Sequence, residues 1–439
     1  MNKVGKNVFV FLFVVSGFLF VEKSQTTDDN SPLTDKADSL TIEQFIQLAL
    51  QNNPRIKLAQ SNLDAASANL MITRSPLFPQ INLQSGWTKN GGTFFIGPTA
   101  RPGGFQNYSA GFQLQQLIFD FGKTYSRISA SSELENAVQS DLLSVKQDLI
   151  LNVYTAYFNF LQFQRLRNVN EDLLKQAEDH LKEAESFYKV GKVPQFDVLR
   201  AQTDLQNAKV NLLNSENNIK LGKIQLENII NTKLPERLMI KDILEIKQET
   251  IDESTAFNNA INNRPEFISS KLRVEASKSL VNSAWTANLP SINAVGGYQW
   301  RSYSFDSNFV SSWNIGLSLT LPIFQGFALD AALDEAKANL KNAEAQNDII
   351  LQGITLDVQQ QYTNLLLAQS KIEALLSLVK QSEETLKLAE GRYKSGVGSP
   401  IEITDARVSL FNSKTLYIQS LDDYQVGYVR LQRAMGTLK

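Results

Sequence analysis

The sequence predicts a mixed α and β fold built from two structural repeats, each a β-hairpin that opens into a long helical hairpin. Three observations carry that expectation: landmark residues recur in the same order in both halves, four segments alternate apolar and polar residues, and two very long stretches are nearly free of Gly and Pro. Alternation with period two marks half-buried strands, whereas long runs without breakers mark helices.

The duplication is the plainest of the three. Asn53-Pro54 returns as Arg264-Pro265 and Pro79 returns as Pro290, both 211 residues later. Gly111 returns as Gly316, and Tyr188-Lys189-Val190-Gly191 as Tyr393-Lys394-Ser395-Gly396, now 205 residues later. The shortening falls between Gly86/Gly297 and Gly111/Gly316, where an unpatterned Gly/Pro loop is longer in the first copy. A unit repeated with variation only in a loop predicts a pseudo-symmetric array. The 439 residues therefore read as one interlocked structure rather than as two or three ordinary domains.

Composition narrows the chemistry. The formal net charge is −2 and no basic run or stripe stands out, so nucleic acid is not an expected partner. There are no cysteines and one histidine, which removes disulfides, thiol nucleophiles and most zinc sites; no metal and no cofactor are expected. A lipid anchor on an N-terminal cysteine is excluded on the same ground. His180, flanked by Asp179 and Lys182 in a helical pattern, is expected on a solvated helix face.

At the N-terminus, Lys3 and Lys6 precede an apolar run from Val8 to Val21, interrupted only by Ser16 and Gly17. The run is too short to span a bilayer comfortably and fits a secretory signal over residues 1–23, with a retained anchor as the alternative. No clean Ala-x-Ala site follows it. Residues 24–39 are polar and read as a flexible leader. No other window is apolar enough for a transmembrane helix.

The alternating segments offer another way into a membrane. After Pro79, Ile81, Leu83 and Trp87 oppose Asn82, Gln84 and Thr88; in the next segment Tyr108, Ala110, Phe112 and Leu114 oppose Ser109, Gly111, Gln113 and Gln115. In the second copy Ile292, Ala294, Tyr298 and Trp300 oppose Asn293, Gln299 and Arg301. The last segment sets Phe309, Trp313, Ile315, Leu317 and Leu319 against Ser312, Asn314, Gly316, Ser318 and Thr320. The polar faces hold amides, hydroxyls and glycines with very little charge, and the apolar faces end in aromatics, as in a lipid-facing barrel. A small soluble sheet over a core is the competing reading. In lipid every strand edge must be paired, so four strands alone are forbidden and the chain must oligomerise. Two copies would give a barrel nearly filled by side chains; three copies give a wider, twelve-stranded one.

The helices supply the length. From Lys123 to Val190 there is no Gly and no Pro, and from Phe327 to Gly391 only Gly353 interrupts. Such a helix reaches on the order of 100 Å at ~1.5 Å per residue. After Pro194, Val198, Leu205, Leu212, Ile219 and Leu226 recur every seventh residue beside a small-residue column of Ala201, Ala208, Ser215 and Gly222. The second copy repeats this with Ile403, Leu410, Tyr417, Tyr424 and Leu431 beside Ala406, Ser413, Ser420 and Gly427. The preceding helix carries its own heptad, Leu365, Ile372, Val379, Leu386 and Tyr393, and is the expected partner. Short Gly-containing turns, 190–194 and 395–400, join each pair, with Pro starting the return helix.

At this point the sequence resembles the TolC-like outer membrane efflux proteins. The resemblance covers nearly the whole mature chain. It rests on the opening helix Leu48-Ala49-Leu50-Gln51-Asn52-Asn53-Pro54, the strand entries Pro79 and Pro290, the strand exits 117–122 and 321–326, and the Tyr-Lys-x-Gly tips in register. It implies a homotrimer with an outer-membrane β-barrel, four strands per chain, continuous with a long periplasmic α-helical barrel. The implied role is that of an exit duct, not an enzyme, in the outer membrane of a Gram-negative bacterium. Its partners would be outer membrane lipid, a periplasmic adaptor (membrane fusion) protein and an inner-membrane pump of resistance-nodulation-division or ABC type. On this reading residues 40–231 form the first repeat, 232–250 an equatorial connector and 251–439 the second repeat.

The resemblance also implies a gate at the helix tips. Glu402 and Asp405 match a ring of acidic residues at the pore constriction; three copies would crowd their carboxylates round an axis, repelling anions and attracting cations. Asp197 and Tyr393 match two members of a closing latch. The arginine that completes the latch falls at Gly398, with Lys394 or Lys192 as possible substitutes. Adaptor docking would use the turns, Val190, Gly191 and Lys192 in the first copy and Ser395, Gly396 and Val397 in the second. A periplasmic coiled-coil scaffold would share the heptads but would not need the strands. An envelope enzyme finds no convergent motif in this chain.

Overall fold

A computed structural model of the chain describes residues 40–96, 99–236, 238, 240–241, 252–303 and 308–438. The expected signal peptide and leader lie outside the described residues, as does most of the 232–250 connector. Each half presents its elements in the same order. The first runs α1 (Ile42–Asn52), α2 (Pro54–Arg74), β1 (Gln80–Ile96), β2 (Thr99–Phe119), α3 (Lys123–Lys189) and α4 (Gln195–Ile230). The second runs α5 (Glu253–Asn263), α6 (Pro265–Thr286), β3 (Ser291–Ser302), β4 (Val310–Thr320), α7 (Ala328–Lys394) and α8 (Pro400–Ala434).

Local chemistry sets the boundaries. Pro54 and Pro265 begin α2 and α6, where a missing N–H costs nothing. Asn53 Oδ1 accepts from the Arg55 N–H at 2.9 Å and so caps α2. Asp120 Oδ2 accepts from the Thr124 N–H at 2.8 Å and from its Oγ1 at 2.5 Å, fixing the first turn of α3 to the strand exit. Both α3 and α7 then run for 67 residues, and α7 passes through Gly353 without a break.

The four strands form one antiparallel sheet in the order β1-β2-β3-β4, so the pairing of β2 with β3 joins the two halves of the chain. Its register carries Leu83, Phe112, Tyr298 and Trp313 into a single row across all four strands. One step away Asn82, Gln113, Gly297 and Asn314 form a polar row, which belongs to the opposite face. The Gly/Pro stretch expected as a loop is instead strand: β1 and β2 stay paired to Ile96 and Thr99, with Gly91, Gly92, Pro102 and Gly103 inside the ladder. Pairing of β2 with β3 begins only at Tyr108. Pro102 therefore has a neighbour on one side alone, where a missing N–H is tolerated.

The helical hairpins pack as the heptads require. In α4 the small column Ala201, Ala208, Ser215 and Gly222 is buried, while Leu205, Leu212 and Ile219 are half-buried. A Cβ added to Gly222 would meet the Phe163 and Phe160 rings at 3.0 and 3.1 Å, so α3 presses its aromatics into the groove that the small residues leave. In the second hairpin Ser382 and Ser413 meet at 2.9 Å between α7 and α8. Midway along α3, where α4 ends, α1, α3 and α4 enclose Phe45, Tyr157, Phe160, Leu226 and Ile230. Leu234 and Ile240, from the described part of the connector, pack on the same core.

Candidate functional site: helix tips and the uncovered sheet face

The hairpin tips are built from residues that only a tight turn needs. After α3, Gly191 takes φ +74° and the Lys192 N–H donates to the Phe187 carbonyl at 2.9 Å. After α7, Gly396 takes φ +77°, and the Val397 and Gly398 N–H groups both donate to the Arg392 carbonyl, at 3.1 and 3.0 Å. These bonds satisfy carbonyls that the helix ends leave open. All six residues expected to dock an adaptor, Val190, Gly191, Lys192, Ser395, Gly396 and Val397, are exposed.

Glu402 and Asp405 share the exposed face of α8, while Ile403 and Ala406 turn inward. Glu402 pairs with Arg392, Nε to Oε2 at 3.2 Å. Of the expected latch residues, Tyr393 is buried and Asp197 half-buried. Burial raises the Tyr393 hydroxyl above its ordinary value, and the Asp197 and Glu183 carboxylates add to the shift. Burial likewise raises Asp197, against the pull of Arg200. The two latch residues thus feel each other through charge, and the Tyr393 hydroxyl has no hydrogen-bond partner among the described residues.

The two candidate substitutes for the latch cation, Lys192 and Lys394, are both exposed at the tips. Lys192 lies over the Phe187 ring, 5.3 Å from its centroid. Gly398 explains why no arginine occupies its position. A Cβ there would lie 2.8 Å from the Tyr393 nitrogen and 2.9 Å from the Arg392 carbonyl carbon, so the turn closes only around glycine.

His180 corrects an expectation. It is not on a solvated face but 4% exposed, its ring meeting Tyr393 edge to face at 5.7 Å. Phe187 meets the same tyrosine at 5.9 Å. The signal was in the sequence: Leu173, His180 and Phe187 form one seven-residue column and Asn170, Ala177 and Ala184 another. The two charged neighbours in sequence obscured it. Asp179 and Lys182 do reach solvent, paired with each other at 3.6 Å, while the histidine between them turns inward.

At the far end, the sheet leaves its apolar face uncovered among the described residues. Trp313 is 73% exposed and Ile315 81%, and Leu83, Trp87, Leu317 and Leu319 are also exposed. Among the described residues β1 and β4 each have a single neighbour, so both sheet edges are open. Where strand gives way to helix, Phe121 and Phe327 hold positive φ (+54° and +65°), next to Gly122 and Gly326. A strained phenylalanine in both junctions is an expense that packing elsewhere must offset. Both rings are exposed, each in contact with a second phenylalanine, Phe119 and Phe324.

Comparison with known proteins agrees with this architecture. The profile of the family described as "Outer membrane efflux protein" matches residues 45–232 and 256–437, one stretch in each half. Outer membrane protein TolC of Escherichia coli is 24% identical over 410 residues, covering 90% of this chain and 82% of TolC. The toluene efflux pump outer membrane protein TtgC of Pseudomonas putida is 24% identical over 401 residues, with the same coverage, 90% and 82%. The crystal structure of the Campylobacter jejuni CmeC outer membrane channel superposes with a TM-score of 0.80 at 21% identity, over 90% of this chain and 85% of that one. With both halves matched by one profile and the fold shared along nearly its whole length, this chain belongs to the outer membrane efflux protein family.

Proposed function

We propose that three copies of this chain close a twelve-stranded barrel in the outer membrane and continue as a periplasmic helical tunnel. The assembly would passively conduct cargo from a periplasmic adaptor and an inner-membrane pump to the exterior, in a tripartite efflux or type I secretion system. The observation that carries this reading is the sheet: among the described residues one face is a broad apolar surface with nothing packed on it, and both edges are unpaired. In water such a sheet would aggregate, and in lipid its edges would be unsatisfied, unless copies complete one another. No described helix is long and apolar enough to cross a membrane, so the strands are the element that would do so.

The tips are the proposed gate. Glu402 and Asp405 would form the constriction, Asp197 and Tyr393 would belong to the closing latch, and the exposed turns around Gly191 and Gly396 would receive the adaptor. Energy for transport would come from the pump. Extraction from outer membranes in detergent, followed by native mass measurement and single-channel recording, tests the reading. A stable trimer that conducts is the expected result. A soluble monomer without conductance would overturn it in favour of a periplasmic scaffold.

A further inference from the structure

We propose that His180 is a pH-sensitive clasp between the two helical hairpins of one chain, holding the tip together while its imidazole is uncharged and releasing it on protonation. The proposal rests on the reading of the tips as the gate of a duct.

Near the tips, the aromatic contacts that cross from one hairpin to the other centre on Tyr393, and His180 supplies one of them. His180 stands on α3 and its edge-to-face neighbour Tyr393 on α7. Phe187, two turns further along α3, packs on the same tyrosine. From the return helices, Thr404 Oγ1 of α8 donates to Asp204 Oδ2 of α4 at 3.0 Å. Aromatic packing of this kind does not depend on charge, but an imidazolium in the same place does.

The surroundings disfavour that charge. His180 Nδ1 is buried and has no hydrogen-bond partner among the described residues, so no acceptor waits for a second proton. The charged groups facing it are Arg407 from α8, Asp204 from α4 and Glu390 from α7. Both carboxylates are engaged, Asp204 by Thr404 and Glu390 by Arg407 Nη2 at 3.3 Å. Asp197 of α4, with Arg200 beside it, and Glu183 of α3 face the tyrosine. Burial first, then the Arg407 charge, push the imidazole down to about 4, against the pull of Asp204 and Glu390.

The sign follows from linkage. A histidine released to solvent protonates near its ordinary value of 6.5, whereas the packed one resists down to about 4. Packing is therefore fully favoured above about 6.5 and weakens as pH falls toward 4, by up to about tenfold in the packed-to-released ratio per pH unit and per chain. His180 is the only histidine in the chain, so no other imidazole titrates in this window.

The test is single-channel recording of the full-length protein in planar bilayers between pH 7.5 and 4.5, comparing wild type with His180→Phe, which keeps a neutral ring against Tyr393. The expected result is a several-fold rise in mean conductance of the wild type between pH 7 and 5, abolished in the variant. A His180→Phe channel that opens with the wild-type pH profile would overturn the proposal, as would a wild type whose gating ignores pH in that range. If the phenylalanine variant does not assemble, His180→Gln, also neutral, is read in the same way. A wild-type protein that conducts at no pH would contradict the duct reading instead.

Discussion

Arg392 Nε lies 3.2 Å from Glu402 Oε2, an ion pair that bridges the turn between α7 and α8. Both side chains are about half exposed, so the pair adds little stability of its own. Its effect is on the field at the tip, because one of the two proposed constriction carboxylates carries a counter-charge from its own chain. Substituting both Glu402 and Asp405 by Ala should raise the half-blocking concentration of a divalent cation by about tenfold or more, since near-surface charge pairs are worth about 1–4 kcal/mol at these distances. Arg392→Ala should lower it. Block that is indifferent to all of these changes would remove the constriction assignment.

Asp422 of α8 is buried, and burial, with help from Asp423, lifts its carboxyl to about 7 against the pull of Arg165 and Arg430. A carboxyl raised on folding favours the packed state when protonated. Its favourable contribution is complete below the ordinary value of 3.8 and is lost as pH climbs toward about 7. Asp422→Asn should therefore stabilise the helical domain at pH 8 by about 2–4 kcal/mol and do little at pH 4. Thermal melts followed by circular dichroism at the two pH values decide it. This dependence runs opposite to that of His180, so the two titrations are separable.

Arg433, near the end of α8, is buried and donates to Asp148 Oδ1 at 2.8 Å, to Ser144 Oγ at 3.0 Å and to Glu266. Burial would raise the Glu266 carboxyl, but the hydrogen bond and charge of Arg433, with Arg264 nearby, outweigh it and hold the group below its usual range. Arg433→Met leaves a partly buried carboxylate without its main partner and should cost about 3 kcal/mol at neutral pH. The loss should shrink below the ordinary Glu value of 4.5, where Glu266 protonates in the unfolded chain. An equal loss at pH 7 and pH 3.5 would mean that packing, not charge, is what the arginine supplies.

Gly111 has no room for a side chain: a Cβ would lie 2.6 Å from the Tyr298 carbonyl oxygen on β3. Gly111→Ala should force β2 and β3 apart and reduce the yield of assembled protein in the outer membrane. Trp313→Lys tests the other side of the sheet. On a lipid-facing surface it should cost about 2–4 kcal/mol if the residue lies near the bilayer midplane. On a face toward water it would be neutral or improve solubility. Heat-modifiable migration of membrane-extracted protein reads out both variants.

Most of the fold is legible because its signals are periodic. Columns such as Ala201, Ala208, Ser215 and Gly222 repeat often enough to fix both the helix and its buried face. The alternation around Trp313 likewise fixed which residues share a strand face. What escaped depended on neighbours distant in the chain. The Gly/Pro stretch around Pro102 looks like a loop locally and becomes strand only because β1 stays paired to its end. His180 looks solvated between two charges; its seven-residue column hints at burial, but the Tyr393 ring that meets it comes from a second hairpin over 200 residues away. At the tip, the position of Gly398 was readable but not its cause, a backbone approach that leaves no space for Cβ.

The equal length of α3 and α7, 67 residues each, with return helices α4 and α8 of 36 and 35, limits how this chain can change. Contacts between the hairpins, such as Phe187 on Tyr393, are met only when both turns arrive at the same level. A deletion in one long helix would slide its tip past the other, and a deletion of fewer than seven residues would also rotate its buried stripe out of the seam. Lengthening or shortening therefore has to happen in whole heptads and in four helices together. Point substitutions at the turns face no such bar. The turns can therefore vary residue by residue while the lengths of the four helices stay locked.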